Sequence, residues 1–121
     1  MHKVSGIGGF FFRANDSAAL TRWYRDALGI DPIPLEYGQE SWRQEAGETA
    51  FTSMPEAIDQ FGQPDRVWAI NFRVRDLDGM VDQLRAAGSE VTVDPTTYPN
   101  GRFASLIDPE GNPIQLWEPI D

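Results

Sequence analysis

A stretch near the start of the chain is repeated in its second half. In residues 12–24 an apolar residue and an Arg are followed by Asp16, and apolar residues then recur every fourth position. Residues 72–84 show the same pattern around Asp76, 60 positions later. An Asp at the start of such a periodic run is typical of a helix N-cap. The repeat therefore predicts a strand, a cap and an amphipathic helix, written twice.

The length of the chain allows one domain built from two similar units. At 121 residues the sequence is predicted to form a single domain, 1–121, with internal modules at about 1–60 and 61–121. A unit of about 60 residues buries only a modest share of its surface. We therefore expect the two modules to share one core.

The charge and the residue types exclude several classes of partner. The net charge of −9 argues against binding to nucleic acid or to an anionic membrane. The sequence contains no Cys, so it has no disulfides and no thiol chemistry, which fits a cytoplasmic location. With only one His, a Ser-His-Asp triad is not expected either.

The first half is predicted to contain one helix and four strands. A strand over 4–13 precedes a helix that begins at Asn15 or Asp16 and ends at Gly29. Short strands are predicted over 35–37, 41–46 and 49–54, and a linker over 55–64.

The second half is predicted to repeat this order. A strand over 67–74 leads to a helix from Asp76 to Gly88, followed by strands over 90–93, 102–107 and 113–117. Asp108 and Asn112 are predicted to be turn residues that bond their own backbone. Each half is thus β-α-β-β-β.

Two motifs carry a resemblance to a known superfamily. They are WYRDALG at residues 23–29, which ends the first helix, and DPEGNPIQL at residues 108–116, which forms the last hairpin. With the repeated order of elements, they resemble the vicinal oxygen chelate superfamily, which includes glyoxalase I, bleomycin-resistance proteins, fosfomycin-resistance enzymes and extradiol dioxygenases. The resemblance implies an α+β fold in which two modules form curved mixed sheets around a cavity. It also implies a homodimer, with the modules paired within one chain or between two.

The resemblance also indicates where a metal ion would be held. Its ligand positions in the first strands of the two halves correspond to Gly9 and Ala69, and the position in the last strand to Gln115. Gly9 and Ala69 offer no donor atom, Gln115 offers a neutral carbonyl, and the single histidine is His2. We therefore predict no metal and no cofactor, although a carboxylate-only site for Mg²⁺ or Mn²⁺ stays open.

Strand alternation predicts which side chains line the cavity. Arg13 and Arg73 occupy equivalent places and could bind a carboxylate or phosphate, but pairing with Asp16, Asp76 or another acid of this acidic surface is favoured. Aromatic side chains could stack on a planar ligand or pack in a core or dimer interface. The predicted ligand-binding residues are Phe11, Arg13, Trp42, Asn71, Arg73, Tyr98, Gln115 and Trp117.

Three functions are compatible with these observations. The favoured one is a protein that binds a small organic molecule between the modules without a metal. The second is a lyase, isomerase or dioxygenase of the same superfamily, with a site of carboxylates and Gln115, for example with Glu45. The third is a non-catalytic dimerisation module.

Overall fold

Two helices and one four-stranded mixed sheet make up the regular structure of the described residues, which confirms the α+β class. The computed structural model describes residues 1–59, 61–62 and 65–120. The elements are α1 (Ser17–Leu28), β1 (Ile70–Arg73), α2 (Leu77–Ala86), β2 (Thr92–Val93), β3 (Gly101–Ile107) and β4 (Pro113–Pro119).

Both helices begin where the sequence places their caps. The Asp16 carboxylate accepts a hydrogen bond from the Ala19 N–H at 3.0 Å, and the Asp76 carboxylate accepts one from Gly79 at 3.0 Å. These bonds satisfy backbone donors that the first turn of a helix leaves without partners. Helix α1 ends at Gly29, whose φ of 74° is the left-handed conformation that glycine adopts at low cost.

The second half forms the complete β-α-β-β-β unit that was predicted. The strand order is β1-β4-β3-β2, with β1 parallel to β4 and the other pairs antiparallel. The turn after Ile107 sets the register of the β3–β4 hairpin, since it pairs Ile107 with Pro113. The resulting sheet is curved and does not close on itself.

One face of this sheet packs against both helices. Ile114 and Leu116 of β4 are buried against Leu77 and Leu84 of α2. Helix α1, although it comes from the first half, adds Leu20, Tyr24 and Ala27 to the same core. The expectation of a core shared between the two halves therefore matches the packing of the helices.

The strands predicted in the first half are not formed, and these predictions are wrong. Residues 4–13 and 35–54 contain no strand. A strand needs a neighbouring backbone to bond with, and neither edge of the sheet is paired with these segments. The rings of Phe10 and Phe12 contact Trp68, but Phe11 and Phe51 are 87% and 89% exposed. The residues of these segments favour the strand conformation, but no strand of the sheet pairs with them.

A buried carboxylate joins the first half to the second. Asp108, 1% exposed, accepts hydrogen bonds from the N–H groups of Glu110 and Asn112 and from the Asn112 side chain. These bonds agree with its predicted role in the turn. Asp108 also accepts a bond from the Tyr24 hydroxyl of α1 at 2.7 Å, which the sequence did not predict. One carboxylate thus fixes both the hairpin and the helix.

The same turn is held to the start of α1 by a second acid. Both carboxylate oxygens of Glu110 accept hydrogen bonds, from the N–H of Asn15 at 2.6 Å and of Asp16 at 3.0 Å. On its other side, Arg66 donates to Asn112 and to the Glu110 carbonyl. A negative charge beside these amides is favourable because the first turn of a helix is the positive end of its dipole.

We expect Asp108→Ala to lower the free energy of unfolding by about 3 kcal/mol, because it leaves the Tyr24 hydroxyl and Asn112 without a buried acceptor. Urea unfolding followed by circular dichroism measures the change. The control is Asp78→Ala, which removes an exposed ion pair with Arg102 and should change the midpoint little. Equal midpoints for the two variants would contradict the role given to Asp108.

We expect the fall in the free energy of unfolding at alkaline pH to depend on Tyr24. Burial, and next the bond to Asp108, raise the pKa of Tyr24 above its ordinary value. Its contribution to stability is full below the unfolded-state pKa of about 10 and is lost as the pH rises above that value. We expect Tyr24 to ionise only as the protein unfolds. In Tyr24→Phe the free energy of unfolding should therefore depend less on pH in the alkaline range.

Phenolate absorbance recorded alongside circular dichroism checks the order of these two events. Tyr37→Phe is the control, because Tyr37 is fully exposed and its loss should leave alkaline unfolding unchanged. If all three tyrosines ionised while the native circular dichroism persisted, the buried bond would not have the effect described.

Candidate functional site

The face of the sheet that points away from the helices carries polar and aromatic side chains. Successive strand residues alternate between faces, so Gln115 and Trp117 point away from the core that Ile114 and Leu116 enter. The strand register places Ser105 opposite Gln115 and Phe103 opposite Trp117. This surface, called the open face below, consists of Asn71, Arg73, Thr92, Phe103, Ser105, Gln115 and Trp117.

Two neutral amides form a bonded pair near the middle of the open face. Asn71 and Gln115 lie directly opposite each other on the parallel strands β1 and β4. The Asn71 Nδ2 donates to the Gln115 Oε1 at 2.7 Å. Each amide keeps a further polar group that this bond does not use, because an amide has both a donor and an acceptor end.

An aromatic shelf lies beside the amide pair. The rings of Phe103 and Trp117 are stacked, with centroids 6.4 Å apart and planes inclined by 7°. The indole Nε1 of Trp117 donates to the Asn100 carbonyl at 2.8 Å, which fixes the orientation of the ring. Tyr98 meets Phe103 edge-on, with centroids 5.8 Å apart. The shelf therefore presents flat apolar surface in a defined orientation.

Tyr98 is held by a carboxylate at the end of β2. Its hydroxyl donates to Asp94 at 2.8 Å, and Asp94 also accepts from the N–H of Thr96. The Thr96 bond, and then the Tyr98 bond, hold the pKa of Asp94 below its usual range. The same bond to Asp94 raises the pKa of Tyr98. Tyr98 is thus kept as a neutral hydrogen-bond donor to Asp94.

The cation on the open face is engaged by the first half of the chain. Arg73 Nη2 donates to the backbone carbonyl of Glu45 at 2.9 Å, whereas the sequence favoured pairing with the carboxylate of Asp76 or another acid. Gly47 packs against this guanidinium so closely that a side chain there would collide with it. The Glu45 carboxylate accepts two bonds from Arg75, at 2.6 and 3.1 Å. A hollow of about 510 Å³ opens beside this contact, toward the start of α2.

The structure brings five of the eight predicted site residues together and leaves three apart. Asn71, Arg73, Gln115 and Trp117 share the open face, and Tyr98 contacts its aromatic shelf. Phe11 and Trp42 lie on segments that form no strand and are exposed. Arg13 lines a different hollow, of about 340 Å³, together with Arg66, Glu110 and Asn112.

Three residues of the open face were missing from the sequence-based set, namely Thr92, Phe103 and Ser105. Phe103 and Ser105 lie on β3, directly across from Trp117 and Gln115. The signal that could have found them is the tight turn at 108–112. Counting outward from a turn that pairs Ile107 with Pro113 gives the facing residue at each step.

The residues present do not fit the metal site that the resemblance implies. Gly9 and Ala69 have no side-chain donor, and the Gln115 oxygen already accepts from Asn71. Within the described ranges, no three His, Asp or Glu side chains come together as metal ligands would. Both carboxylate oxygens of Glu45 are directed at Arg75. The donor set is therefore one neutral amide oxygen, which is too few for a divalent ion.

Comparisons with known proteins agree with the fold. Residues 6–116 match the family model described as the Glyoxalase/Bleomycin resistance protein/Dioxygenase superfamily. No curated protein matches the sequence significantly. In the part of the chain that the structure describes, the helices are too short or too polar to cross a membrane.

Several solved structures share the fold at low sequence identity. TnmS3, described as an antibiotic binding protein from Streptomyces sp. CB03234, is 24% identical, with a TM-score of 0.67 and coverage of 99% of this chain and 100% of that one. A glyoxylase/bleomycin resistance protein/dioxygenase domain from Frankia sp. EAN1pec is 17% identical, with a TM-score of 0.63 and coverage of 98% and 100%. FosX, described as a fosfomycin resistance protein from Listeria monocytogenes, is 12% identical, with a TM-score of 0.60 and coverage of 98% and 94%.

Proposed function

Since this chain belongs to the glyoxalase/bleomycin resistance protein/dioxygenase superfamily, we propose that it binds a small planar organic molecule on the open face without a metal ion. The observation that carries the proposal is the Phe103–Trp117 shelf beside the Asn71–Gln115 pair. Flat apolar surface with a few placed polar groups is the usual composition of a small-molecule site.

The description of TnmS3 as antibiotic binding supports this reading by analogy of fold. The alternative of an enzyme with a carboxylate and Gln115 site has less support, because Arg75 engages the nearby Glu45 carboxylate. A purely structural module is also less favoured, because such a role would not require an amide pair and a shelf on one face. The cytoplasmic location suggested by the absence of Cys stays a prediction.

We also propose that two copies of the chain complete the site together. Residues 4–13 and 35–54 have strand-like sequences, lack strand partners and expose large apolar side chains such as Phe11 and Phe51. Exposing such side chains to water is unfavourable, and a second copy offers both sheet edges and apolar surface. The internal repeat supports this arrangement, since each half would then pair with a half of the same design.

The ligand proposal is tested with phenanthridinone, a flat three-ring probe, by tryptophan fluorescence quenching. We expect Phe103→Leu to weaken binding about tenfold, because it keeps apolar volume but removes the flat ring. Tyr37→Ala, which truncates a fully exposed aromatic residue elsewhere, is the control and should bind as the wild type. Treatment with a chelator should leave the affinity unchanged. Binding that disappeared with the chelator and returned with a divalent metal would refute the metal-free site.

The dimer proposal is tested by sedimentation equilibrium over a range of concentrations. We expect Phe51→Asp to weaken self-association about tenfold or more, because it places a charge where the partner copy would cover an apolar ring. Ala87→Asp, which adds the same charge at the exposed end of α2, should not affect association. A wild-type chain that remained monomeric at high concentration would overturn the proposal.

A further inference from the structure

Asp94 extends the open face just beyond the end of β2. The pairing of Val93 with Ala104 continues by one step, because the Asp94 N–H donates to the Phe103 carbonyl at 3.0 Å. Val93 packs against the core, so the next side chain along the chain, that of Asp94, points to the other side of the sheet. Residues directly opposite each other on antiparallel strands have Cβ atoms about 5 Å apart. The carboxylate of Asp94 therefore lies on the open face, beside the aromatic shelf.

This carboxylate is charged and partly exposed. It accepts hydrogen bonds from the Thr96 N–H and the Tyr98 hydroxyl, and both of these donors are uncharged. The two bonds hold the pKa of Asp94 below its usual range, so the group is ionised at neutral pH. None of the ion pairs in the described part of the chain involves Asp94. The shelf therefore has an ionised carboxylate along one edge.

The charged residues next to the shelf residues along β3 and β4 point to the opposite side of the sheet. Arg102 forms an ion pair with Asp78 of α2, and Glu118 accepts a hydrogen bond from the Leu77 N–H at the start of the same helix. Both contacts lie on the helix side, as the alternation of side chains along a strand requires. Neither residue therefore places its charge on the open face.

The cation of the open face lies on the far side of the shelf. Arg73 is opposite Trp117, which puts three strand spacings, about 14 Å, between Arg73 and Asp94. Exposed charges at this distance are largely screened from each other. Arg73 also donates to the Glu45 carbonyl and packs against Gly47, so an anion would have to displace this segment to bind the guanidinium with two bonds. The charge that the shelf offers to a ligand is therefore the negative charge of Asp94.

From the shelf and the carboxylate at its edge, and on the basis of the proposed function, we infer that the ligand is a planar aromatic cation. Its ring system stacks on Phe103 and Trp117, and its positive nitrogen lies toward Asp94. A charge attracts a cation without requiring a particular donor angle, and the face of an aromatic ring also attracts a cation. The net charge of −9 adds a general attraction.

The test compares three flat probes by isothermal titration calorimetry. They are N-methylphenanthridinium, a permanent cation, phenanthridine, its parent ring, which is uncharged at neutral pH, and the anion phenanthrenecarboxylate. We expect the cation to bind about tenfold tighter than phenanthridine, as one exposed ion contact with a cation–π contribution provides, and the anion to bind more weakly than phenanthridine. Asp94→Asn, which keeps the shape but removes the charge, should lower the affinity for the cation to about that for phenanthridine and leave phenanthridine binding unchanged.

Asp82→Asn is the matched control for the loss of one negative charge. Asp82 is exposed on α2, which packs against the other face of the sheet, so this variant should keep the preference for the cation. Phe103→Leu should weaken the binding of all three probes. The comparison in the wild-type chain needs no variant, so it tests the inference even if Asp94→Asn does not fold.

The outcomes separate this inference from the proposal on which it rests. If the three probes bound the wild-type chain with equal affinity, or if the anion bound best, the inference of a cationic ligand would be wrong while the aromatic site stood. The same holds if Asp94→Asn kept the preference, or if Asp82→Asn reduced it as much as Asp94→Asn. Failure of every probe to bind the wild-type chain would overturn the proposed function as well.

Discussion

The carboxylate of Asp108 is the contact on which the relation between the two halves of the chain depends. It closes the turn between β3 and β4 and, through the Tyr24 hydroxyl, holds helix α1 against the sheet of the second half. Burial of a carboxylate is costly unless hydrogen bonds compensate for the lost water, and here four donors do so. Because the turn sets the register of the hairpin, the same carboxylate also determines that Gln115 faces away from the core.

The register of β3 and β4 gives the two faces of the sheet different roles. The face carrying Ile114 and Leu116 is sealed by the helices and supplies the core. The opposite face carries amides and stacked rings, with Tyr98 packed edge-on against Phe103. One face of the curved sheet is packed against the helices and the other is polar and aromatic. Such a sheet suits a fold in which different sites are built on a common framework. In this chain the positions where the resemblance would place a metal carry Gly9, Ala69 and Gln115. Under the proposed function, neutral hydrogen bonding and stacking would hold the ligand instead.

The sequence predicted what local chemistry determines and missed what depends on distant partners. The caps at Asp16 and Asp76 and the tight turn at 108–112 each depend on residues that are close together in sequence. The structure confirms all three. The strands of the first half were predicted from composition alone, but a strand exists only when another backbone bonds with it. The Tyr24–Asp108 bond spans 84 positions and leaves no local signal. Phe103 could have been predicted, because the turn determines which residue faces Trp117, but the sequence-based set omits it.

The proposed dimer requires residues 4–13 and 35–54 to form strands whose partners lie in a second copy. Amide hydrogen exchange of these segments, measured by mass spectrometry at high and low protein concentration, tests it most directly. If the dimer forms in this way, both segments are protected at high concentration and exchange rapidly on dilution, while β3 and β4 stay protected throughout. Rapid exchange of both segments at every concentration would contradict it, and so would protection that does not change on dilution.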